Sequence, residues 1–492
     1  MEQLSSVRSI NFGKLAAEND DLLGTYFVRT EAFERVLGGE RWFLLGNRGS
    51  GKTAIFRGLA DAKRRDGDVI IQLKPEDYSY ELASEVLAKE VDGNWQKGGA
   101  FTIAWKWLIL KLTLGSLADD SAGRRRKAEG HIHAFMRDHY ADQDLNPIDS
   151  LISFLKRIES VKLGKIGEVG IKTSSLQGLF RLDEFKPVLD DLREALGRRP
   201  VHVVIDELDR GWDASEDAQF FVSGLFRAAV NLNTEFSGLH VYVSLRQELY
   251  ESIPALYEDA QKHRDVIQQL RWDELNLREL IAGRIRQSLN LQEIDDDAAW
   301  TLAFGEVLSY RNTRPFRYIT DRTTNRPREL ISFCTAIRDM AVERGQSIDY
   351  SVIADAERRY SKDRFDDIVR EYRFQYPGLQ YIFEYFRGRL YLIDKATLMD
   401  DCTEIICSER YTKLAPWLEH KEPEGLAETL WEVGFLLARN VGGQKGLVRS
   451  GSQYIGVYQH PSMALDKVQT FKVHPMFHAH LGLREKKSPS ED

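Results

Sequence analysis

The sequence predicts an α/β protein built around a buried parallel sheet. Four apolar runs, rich in β-branched and aromatic residues, alternate with segments at helical spacing, and this alternation is typical of parallel strands joined by helices. A glycine-rich loop and then a helical segment follow the first run, which gives the local order strand, tight turn, helix. The four runs are residues 42–45, 69–73, 201–205 and 239–244.

The connections between these runs predict further parts of the chain. We assign residues 1–73 and 200–271 to the α/β core. Residues 74–199 are much longer than the usual connection between parallel strands and contain several helical stretches, so we expect a helical insertion in the core.

The second half of the chain is mainly helical. Residues 272–361 have helical spacing almost throughout and predict a lid domain. Residues 362–485 combine short helical segments with a glycine-rich stretch and then two short strands across a loop, YIGVY and FKVHPMF, which indicates a winged-helix-like domain. Residues 486–492 are polar and charged and predict a disordered tail.

Composition limits the kinds of protein that this chain can be. With 492 residues, of which 42% are hydrophobic, it can bury more than one core. Its 68 basic and 76 acidic residues give a formal net charge of −8, which argues against coating nucleic acid by bulk charge. The three cysteines match neither a disulfide framework nor a zinc site. No uninterrupted apolar run approaches the ~18 residues that span a bilayer, so we expect a cytoplasmic protein without membrane contact.

The stretch GNRGSGKT, residues 46–53, matches G-x-x-x-x-G-K-[ST], the phosphate-binding (Walker A) loop of P-loop NTPases. The glycines permit a tight turn whose backbone N–H groups, with the N-terminus of the next helix, face phosphate. We expect Lys52 to neutralise the β- and γ-phosphate oxygens and Thr53 to offer a hydroxyl to Mg²⁺. The predicted cofactors are therefore ATP and Mg²⁺, and the loop residues expected to bind them are Gly46, Asn47, Arg48, Gly49, Ser50, Gly51, Lys52, Thr53 and Ala54.

Two acidic residues, Asp206 and Glu207, end the third apolar run. In a Walker B position the first carboxylate holds magnesium and the second polarises the water that attacks the γ-phosphate. Acidic residues at a strand end also serve as helix caps, and this alternative needs no catalytic role.

Three further polar residues are candidates for the γ-phosphate. Ser244 ends the fourth run, where it can sense the γ-phosphate or orient the water. Arg264 precedes a predicted fifth strand, and Arg328 lies in the stretch NRPRELI of the lid. An arginine presented to the γ-phosphate accelerates phosphoryl transfer by several orders of magnitude, although any one arginine is more often a surface residue.

The order of these motifs resembles that of the AAA+ and STAND ATPases, in the origin-recognition-like branch. Within that branch the chain is similar to a group of bacterial P-loop ATPases, many of them encoded in antiphage defence islands. The stretches that carry this resemblance are ERWFLLGNRGSGKTAI, VIDELDRGW, NRPRELISF and VHPMF. The stretch IDELDR also resembles the acidic motif of the KAP group of P-loop ATPases.

The resemblance implies roles for particular residues. Phe27 and Val28 would contact the adenine, Ser244 would be the sensor at the strand tip, and Arg328 would be the sensor in the lid. The strand tip carries Ser where Asn or Thr is commoner, and the arginine that acts on a neighbouring subunit has no clear position. Hydrolysis of ATP to ADP and phosphate would therefore be slow or depend on assembly.

The resemblance also implies an ATP-dependent switch in bacterial antiviral defence, which acts through a homo-oligomer or a separate effector protein. An origin-recognition-like ATPase or loader that binds DNA is one alternative, with nucleic acid as the trigger. Only the stretch with Lys445 and Arg449 offers a basic loop for it. A scaffold that nucleotide merely stabilises is the other alternative.

Overall fold

The computed structural model describes residues 7–73, 97–119, 126–140, 147, 150–151, 153–154, 182–208, 215–257, 260–439, 454–461 and 463–485. The chain divides into two compact units. The sheet unit comprises Arg29–Arg271, and the composite unit comprises Met1–Val28 together with Trp272–Asp492.

The sheet unit contains a five-stranded parallel sheet, as the sequence predicts. Its strands are β1 (Phe43–Leu45), β2 (Val69–Leu73), β3 (Val201–Ile205), β4 (Leu239–Leu245) and β5 (Ile267–Gln269). They lie in the order β2-β3-β4-β1-β5, so β1 is flanked by β4 and β5. The central strands are buried on both faces, which explains their continuous apolar sequences.

Helices cover this sheet. The α-helices of the sheet unit are α1 (Glu31–Leu37), α2 (Lys52–Asp66), α3 (Lys97–Ala118), α4 (Lys127–Tyr140), α5 (Leu189–Arg198), α6 (Glu216–Glu235), α7 (Gln247–Ser252) and α8 (Pro254–Tyr257). Short 3₁₀ helices occupy Leu182–Val188 and Ala260–Val266.

The long apolar helix α3 lies in the segment predicted as an insertion, and it shares one hydrophobic core with the sheet. It packs closely on α6, since a Cβ on Gly224 would come within 2.5 Å of the Phe101 Cβ. The Trp105 indole N–H donates to the Phe221 carbonyl at 3.2 Å. Residues Gly99–Ala118 are long and apolar enough to cross a membrane, but 78% of that stretch is buried, as expected of a core helix.

The composite unit is helical up to residue 385 and then adds a small sheet. Its α-helices are α9 (Glu274–Leu289), α10 (Asp296–Phe304), α11 (Pro315–Thr320), α12 (Pro327–Arg344), α13 (Tyr350–Glu371), α14 (Leu379–Tyr385), α15 (Lys395–Cys407), α16 (Glu409–Leu414), α17 (Pro423–Glu432) and α18 (His478–Leu481). Its 3₁₀ helices are Ala17–Asn19, Leu23–Thr25, Pro416–His420, Leu465–Lys467 and Pro475–Phe477.

The small sheet has four antiparallel strands: β6 (Leu392–Asp394), β7 (Leu436–Arg439), β8 (Tyr454–Ile455) and β9 (Thr470–Val473). They lie in the order β6-β9-β7-β8. Helices followed by short strands agree with the predicted order of elements, while the winged-helix assignment stays a prediction. The glycine-rich stretch with Lys445 and Arg449, and the tail 486–492, lie outside the described residues.

The N-terminal segment belongs to the composite unit, which differs from the sequence-based assignment of residues 1–73 to one core. Phe12 stacks on Phe304 with ring centroids 6.0 Å apart. Arg284 and Arg338 donate to the carbonyls of Phe12 and Ile10, both at 2.9 Å. Because these partners lie more than 270 residues apart in the chain, sequence periodicity does not reveal this pairing.

The stretch NRPREL starts helix α12, and most of its polar residues have structural partners. The Arg326 guanidinium lies 2.9 Å from the Glu371 carboxylate, and both side chains are buried. The Glu329 carboxylate accepts from the Thr324 backbone N–H at 2.6 Å. A buried ion pair that loses one partner costs about 3–5 kcal/mol, so these residues maintain the junction between α12 and α13.

Candidate nucleotide-binding site

The loop at residues 46–51 joins the end of β1 to the start of α2. Gly49 and Gly51 have φ angles of 80° and 97°, a left-handed conformation that glycine adopts without steric cost. A Cβ on Gly46 would come within 2.5 Å of Ser50 Oγ and 3.2 Å of Leu270 Cβ. The glycines therefore allow the backbone to curl tightly ahead of the helix N-terminus.

Lys52 lies inside this curl. Its ammonium donates to the Gly46 carbonyl at 2.6 Å and to the Asn47 carbonyl at 3.2 Å. The loop thus closes around a positive charge at the N-terminus of a helix of 15 residues, where backbone N–H groups also favour an anion.

The carboxylate of Asp206 accepts three hydrogen bonds in this site. Its Oδ2 accepts from the Thr53 hydroxyl at 2.7 Å. Its Oδ1 accepts from the Glu207 backbone N–H at 2.9 Å and from the Ser244 hydroxyl. Three donors from three parts of the sheet unit therefore fix the orientation of one carboxylate.

The sheet register explains why these residues meet. Ile205, directly before Asp206, pairs with Val243 in β4, and Ser244 pairs with Leu44 in β1. Because parallel strands end at the same edge of a sheet, residues that follow β3 and lie near the ends of β4 and β1 converge there. The predicted residues Lys52, Thr53, Asp206 and Ser244 therefore belong to one site.

Ser244 has a more specific place than the sequence suggests. Its side chain is buried, with 1% exposure, and its hydroxyl donates to Asp206. In this arrangement Ser244 acts through the acidic residue, as a positioning residue. The contact between Ser244 and Asp206 depends on the pairing of β3 with β4, which could not be predicted from the sequence.

Glu207 adopts a positive φ of 55°, which is unusual for a residue with a side chain. Such a conformation costs about 1–3 kcal/mol and persists where the surroundings demand it, often at functional sites. The backbone N–H of Glu207 bonds to the Asp206 carboxylate, so the turn that bears Glu207 is tied to the same acidic residue.

The helix-cap alternative for the acidic pair is wrong for α6. Ser215 is the N-cap of that helix, and its hydroxyl accepts from the Ala218 N–H at 3.2 Å. The Asp206 carboxylate instead bonds to Thr53, Glu207 and Ser244.

These residues fit a phosphate with magnesium. A hydroxyl and a carboxylate supply the hard oxygen atoms that Mg²⁺ prefers, and they lie 2.7 Å apart beside the loop. Atoms of the loop itself occupy the space that a Cβ on Gly46 would fill, so the tight turn that surrounds a phosphate requires glycine at this position.

Four other predicted residues lie outside this group. Arg264 lies in the 3₁₀ helix before β5, with its side chain exposed. Phe27, Val28 and Arg328 belong to the composite unit, where Val28 is buried and the Arg328 guanidinium donates to the Leu15 carbonyl at 3.1 Å. The adenine contacts and the role of the lid therefore stay predictions.

Comparisons with known proteins give one local family match. A profile of the FunZ-associated C-terminal helical domain matches residues 275–369, which correspond closely to helices α9 to α13. The predicted helical lid at 272–361 covers most of this matched segment.

Two longer similarities extend over most of the chain. It is 23% identical over 472 residues to a protein of Escherichia coli (strain K12) named "Putative transposon gamma-delta 80.3 kDa protein". That alignment covers 89% of this chain but 63% of the relative, so the chain spans less than two thirds of that protein's length. The ORC2 protein of Aeropyrum pernix, solved in ADPNP and ADP complexes, covers 92% of this chain at 11% identity with a TM-score of 0.37.

Proposed function

We propose that the chain binds ATP with magnesium and hydrolyses it to ADP and phosphate. The observation that carries this proposal is the Asp206 carboxylate, held by the Thr53 hydroxyl at 2.7 Å beside a glycine loop that surrounds Lys52. A loop for phosphate, a cation for its charge and an oxygen pair for magnesium are the parts that phosphoryl transfer needs.

In the proposed reaction a water oxygen bonds to the γ-phosphorus while the bond to the β–γ bridging oxygen breaks. ADP leaves with that electron pair, and the Glu207 carboxylate accepts the water proton. Lys52 would exchange its loop carbonyls for phosphate oxygens, and Thr53 with Asp206 would hold magnesium, which would neutralise charge on the phosphates. Ser244 keeps the Asp206 carboxylate oriented.

We further propose that this chemistry serves a switch. The composite unit contains the predicted lid with Arg328 and is covalently joined to the sheet unit at Val28–Arg29 and Arg271–Trp272. A homo-oligomer or a separate effector protein would read the nucleotide state. The antiviral setting rests on the sequence resemblance, and neither the FunZ-associated domain nor the transposon protein has a name that states such a role.

One exposed acidic face, on helix α17, favours a protein rather than DNA as the partner of that face. Helix α17 precedes β7, and its exposed acidic residues Glu424, Glu428 and Glu432 repeat every four residues along one face. Such a face repels the phosphate backbone. If DNA were the trigger, duplex DNA would stimulate hydrolysis with a steep dependence on salt, and we expect no such stimulation.

The proposal is tested by nucleotide binding and phosphate release of the full chain, with Lys52→Ala and Glu207→Gln as variants. We expect Lys52→Ala to lose nucleotide binding. Glu207→Gln should still bind ATP but turn over about 100-fold more slowly or worse, since it lacks the general base. Equal ATP affinity of the wild type and Lys52→Ala would contradict the proposal.

The same variants separate a switch from a scaffold. A switch changes its mass or its bound partner with ATP, and Glu207→Gln should hold the ATP-bound assembly longer. If turnover and assembly of Glu207→Gln equal those of the wild type, the nucleotide is structural.

A further inference from the structure

The side chain of Arg48 is a second cation on the phosphate loop itself. Arg48 is exposed and lies between Asn47, whose carbonyl accepts from the Lys52 ammonium at 3.2 Å, and Gly49, whose φ is 80°. The Cα atoms of Asn47 and Arg48 are about 3.8 Å apart. The long side chain of Arg48 therefore starts close to the Lys52 ammonium, on the loop that would hold the phosphates.

Of the two arginines expected from sequence, Arg264 precedes β5, the parallel neighbour of β1, and so lies at the ends of these strands opposite the loop. Arg264 is exposed in the 3₁₀ helix before β5, and Arg328 belongs to the composite unit. Lys52 bonds to the Gly46 and Asn47 carbonyls, which it would exchange for phosphate oxygens when nucleotide binds. The charge that develops on the γ-phosphate oxygens in the transition state needs a donor beyond Lys52.

We infer that Arg48 binds the γ-phosphate of the nucleotide in its own subunit and stabilises the transition state of hydrolysis. The inference rests on the proposed function and adds a catalytic residue to it. The guanidinium forms no covalent bond. It donates hydrogen bonds to γ-phosphate oxygens while the water oxygen bonds to phosphorus, ADP departs, and the water proton passes to Glu207.

The test compares four full-length proteins: wild type, Arg48→Ala, Arg48→Lys and Arg64→Ala. Arg64 is the matched control because it lies on helix α2, which directly follows the loop that bears Arg48, is exposed and pairs with Asp61 at 3.3 Å. It is 12 residues beyond Lys52, about 18 Å along the helix. Both substitutions to alanine remove one surface charge, so a difference between their affinities or rates reflects the position of the lost arginine.

We expect Arg48→Ala to bind Mg·ADP within about threefold of the wild type, since one distant charge in water contributes little. Its affinity for the β,γ-imido analogue of ATP should fall at least tenfold relative to ADP. Its single-turnover hydrolysis should fall about 100-fold or more. Arg48→Lys should recover part of both losses, and Arg64→Ala should match the wild type.

Three results would overturn the inference. Arg48→Ala behaving like Arg64→Ala would show that the side chain does not reach the γ-phosphate. Equal weakening of ADP and the ATP analogue would indicate a general effect on the loop. Recovery of hydrolysis on mixing Arg48→Ala with Lys52→Ala would show that Arg48 acts on a neighbouring subunit. If the wild type bound neither nucleotide, the proposed function itself would fail, and this outcome is distinct from the other three.

Discussion

The Asp206 carboxylate offers a test of how the fold prepares a magnesium site. Ser244→Ala removes the hydroxyl that donates to Oδ1, while the donors Thr53 and the Glu207 N–H remain. A hydrogen bond to a charged group contributes about 1.5–3 kcal/mol, which corresponds to roughly 10- to 150-fold in an equilibrium constant. Loss of an outer-shell partner typically lowers metal affinity by about 10- to 100-fold. We therefore expect magnesium-dependent ATP affinity to fall by about 10- to 100-fold.

The assay is titration of a fluorescent ATP analogue with magnesium and again with chelator. Only the magnesium-dependent part of the affinity should change, because Ser244 bonds to the acidic residue. Ser223→Ala is the matched control: Ser223 is equally buried, with 1% exposure, and its hydroxyl donates to the Phe220 carbonyl within α6. Equal weakening with and without magnesium, or the same effect in Ser223→Ala, would refute the positioning role.

Three further predictions concern stability. Glu207→Gly removes the strain of a left-handed conformation but adds entropy to the unfolded chain. In urea unfolding it should therefore be as stable as Glu207→Gln or up to ~1 kcal/mol more stable, while both variants lose turnover. A glycine variant less stable than Glu207→Gln would contradict the presence of strain at this position. Gly224→Ala should destabilise the sheet unit by about 1–3 kcal/mol in thermal unfolding, because its Cβ would come within 2.5 Å of Phe101. In the same assay Gly197→Ala, which has open space around its Cβ, should stabilise helix α5 by about 0.5–1 kcal/mol. Burial lowers the pKa of His474 to about 3, so the folded state keeps this residue neutral and loses stability as the pH falls below about 6.5. Burial also lowers the pKa of His478 to about 3, so both residues contribute to the loss. Between pH 7.5 and 5.5 the loss measured by denaturant unfolding should therefore be about 1.4 kcal/mol smaller in His474→Gln than in the wild type.

The sequence predicted the parallel sheet because buried parallel strands are continuous apolar runs. Strands β2 and β3 have the predicted bounds, and β1 begins one residue later than predicted. The shorter strands β6 and β7 were missed: β6 has three residues, and β7 directly follows helix α17 in an apolar segment that has no separate signal. Three residues are too few to show an alternation, and β1, which is as short as β6, was predicted because the phosphate-binding loop directly follows it.

Some residues of the candidate site could be predicted from local sequence, whereas the contacts between them could not. Local spacing was enough to predict Lys52 and Thr53, because the loop and its helix are contiguous in the chain. The bond from Thr53 to Asp206 joins residues 153 positions apart, and the bond from Ser244 depends on β3 lying beside β4. Strand order is a tertiary property, and four apolar runs are compatible with several orders.

In the stretch NRPREL, the contacts of each residue distinguish structural roles from the predicted sensor role. By resemblance the whole stretch indicated a sensor in the lid, yet Arg326 pairs with Glu371 and Glu329 accepts from Thr324, so both have sufficient structural reasons to be charged. Arg328 differs because its side chain is only half-buried and its guanidinium donates to the backbone carbonyl of Leu15. A single hydrogen bond of this kind to a backbone carbonyl contributes little to stability. Removing one partner of a buried pair, in contrast, costs several kcal/mol. The sensor role therefore stays a prediction for Arg328, while the contacts of Arg326 and Glu329 fix where helix α12 begins.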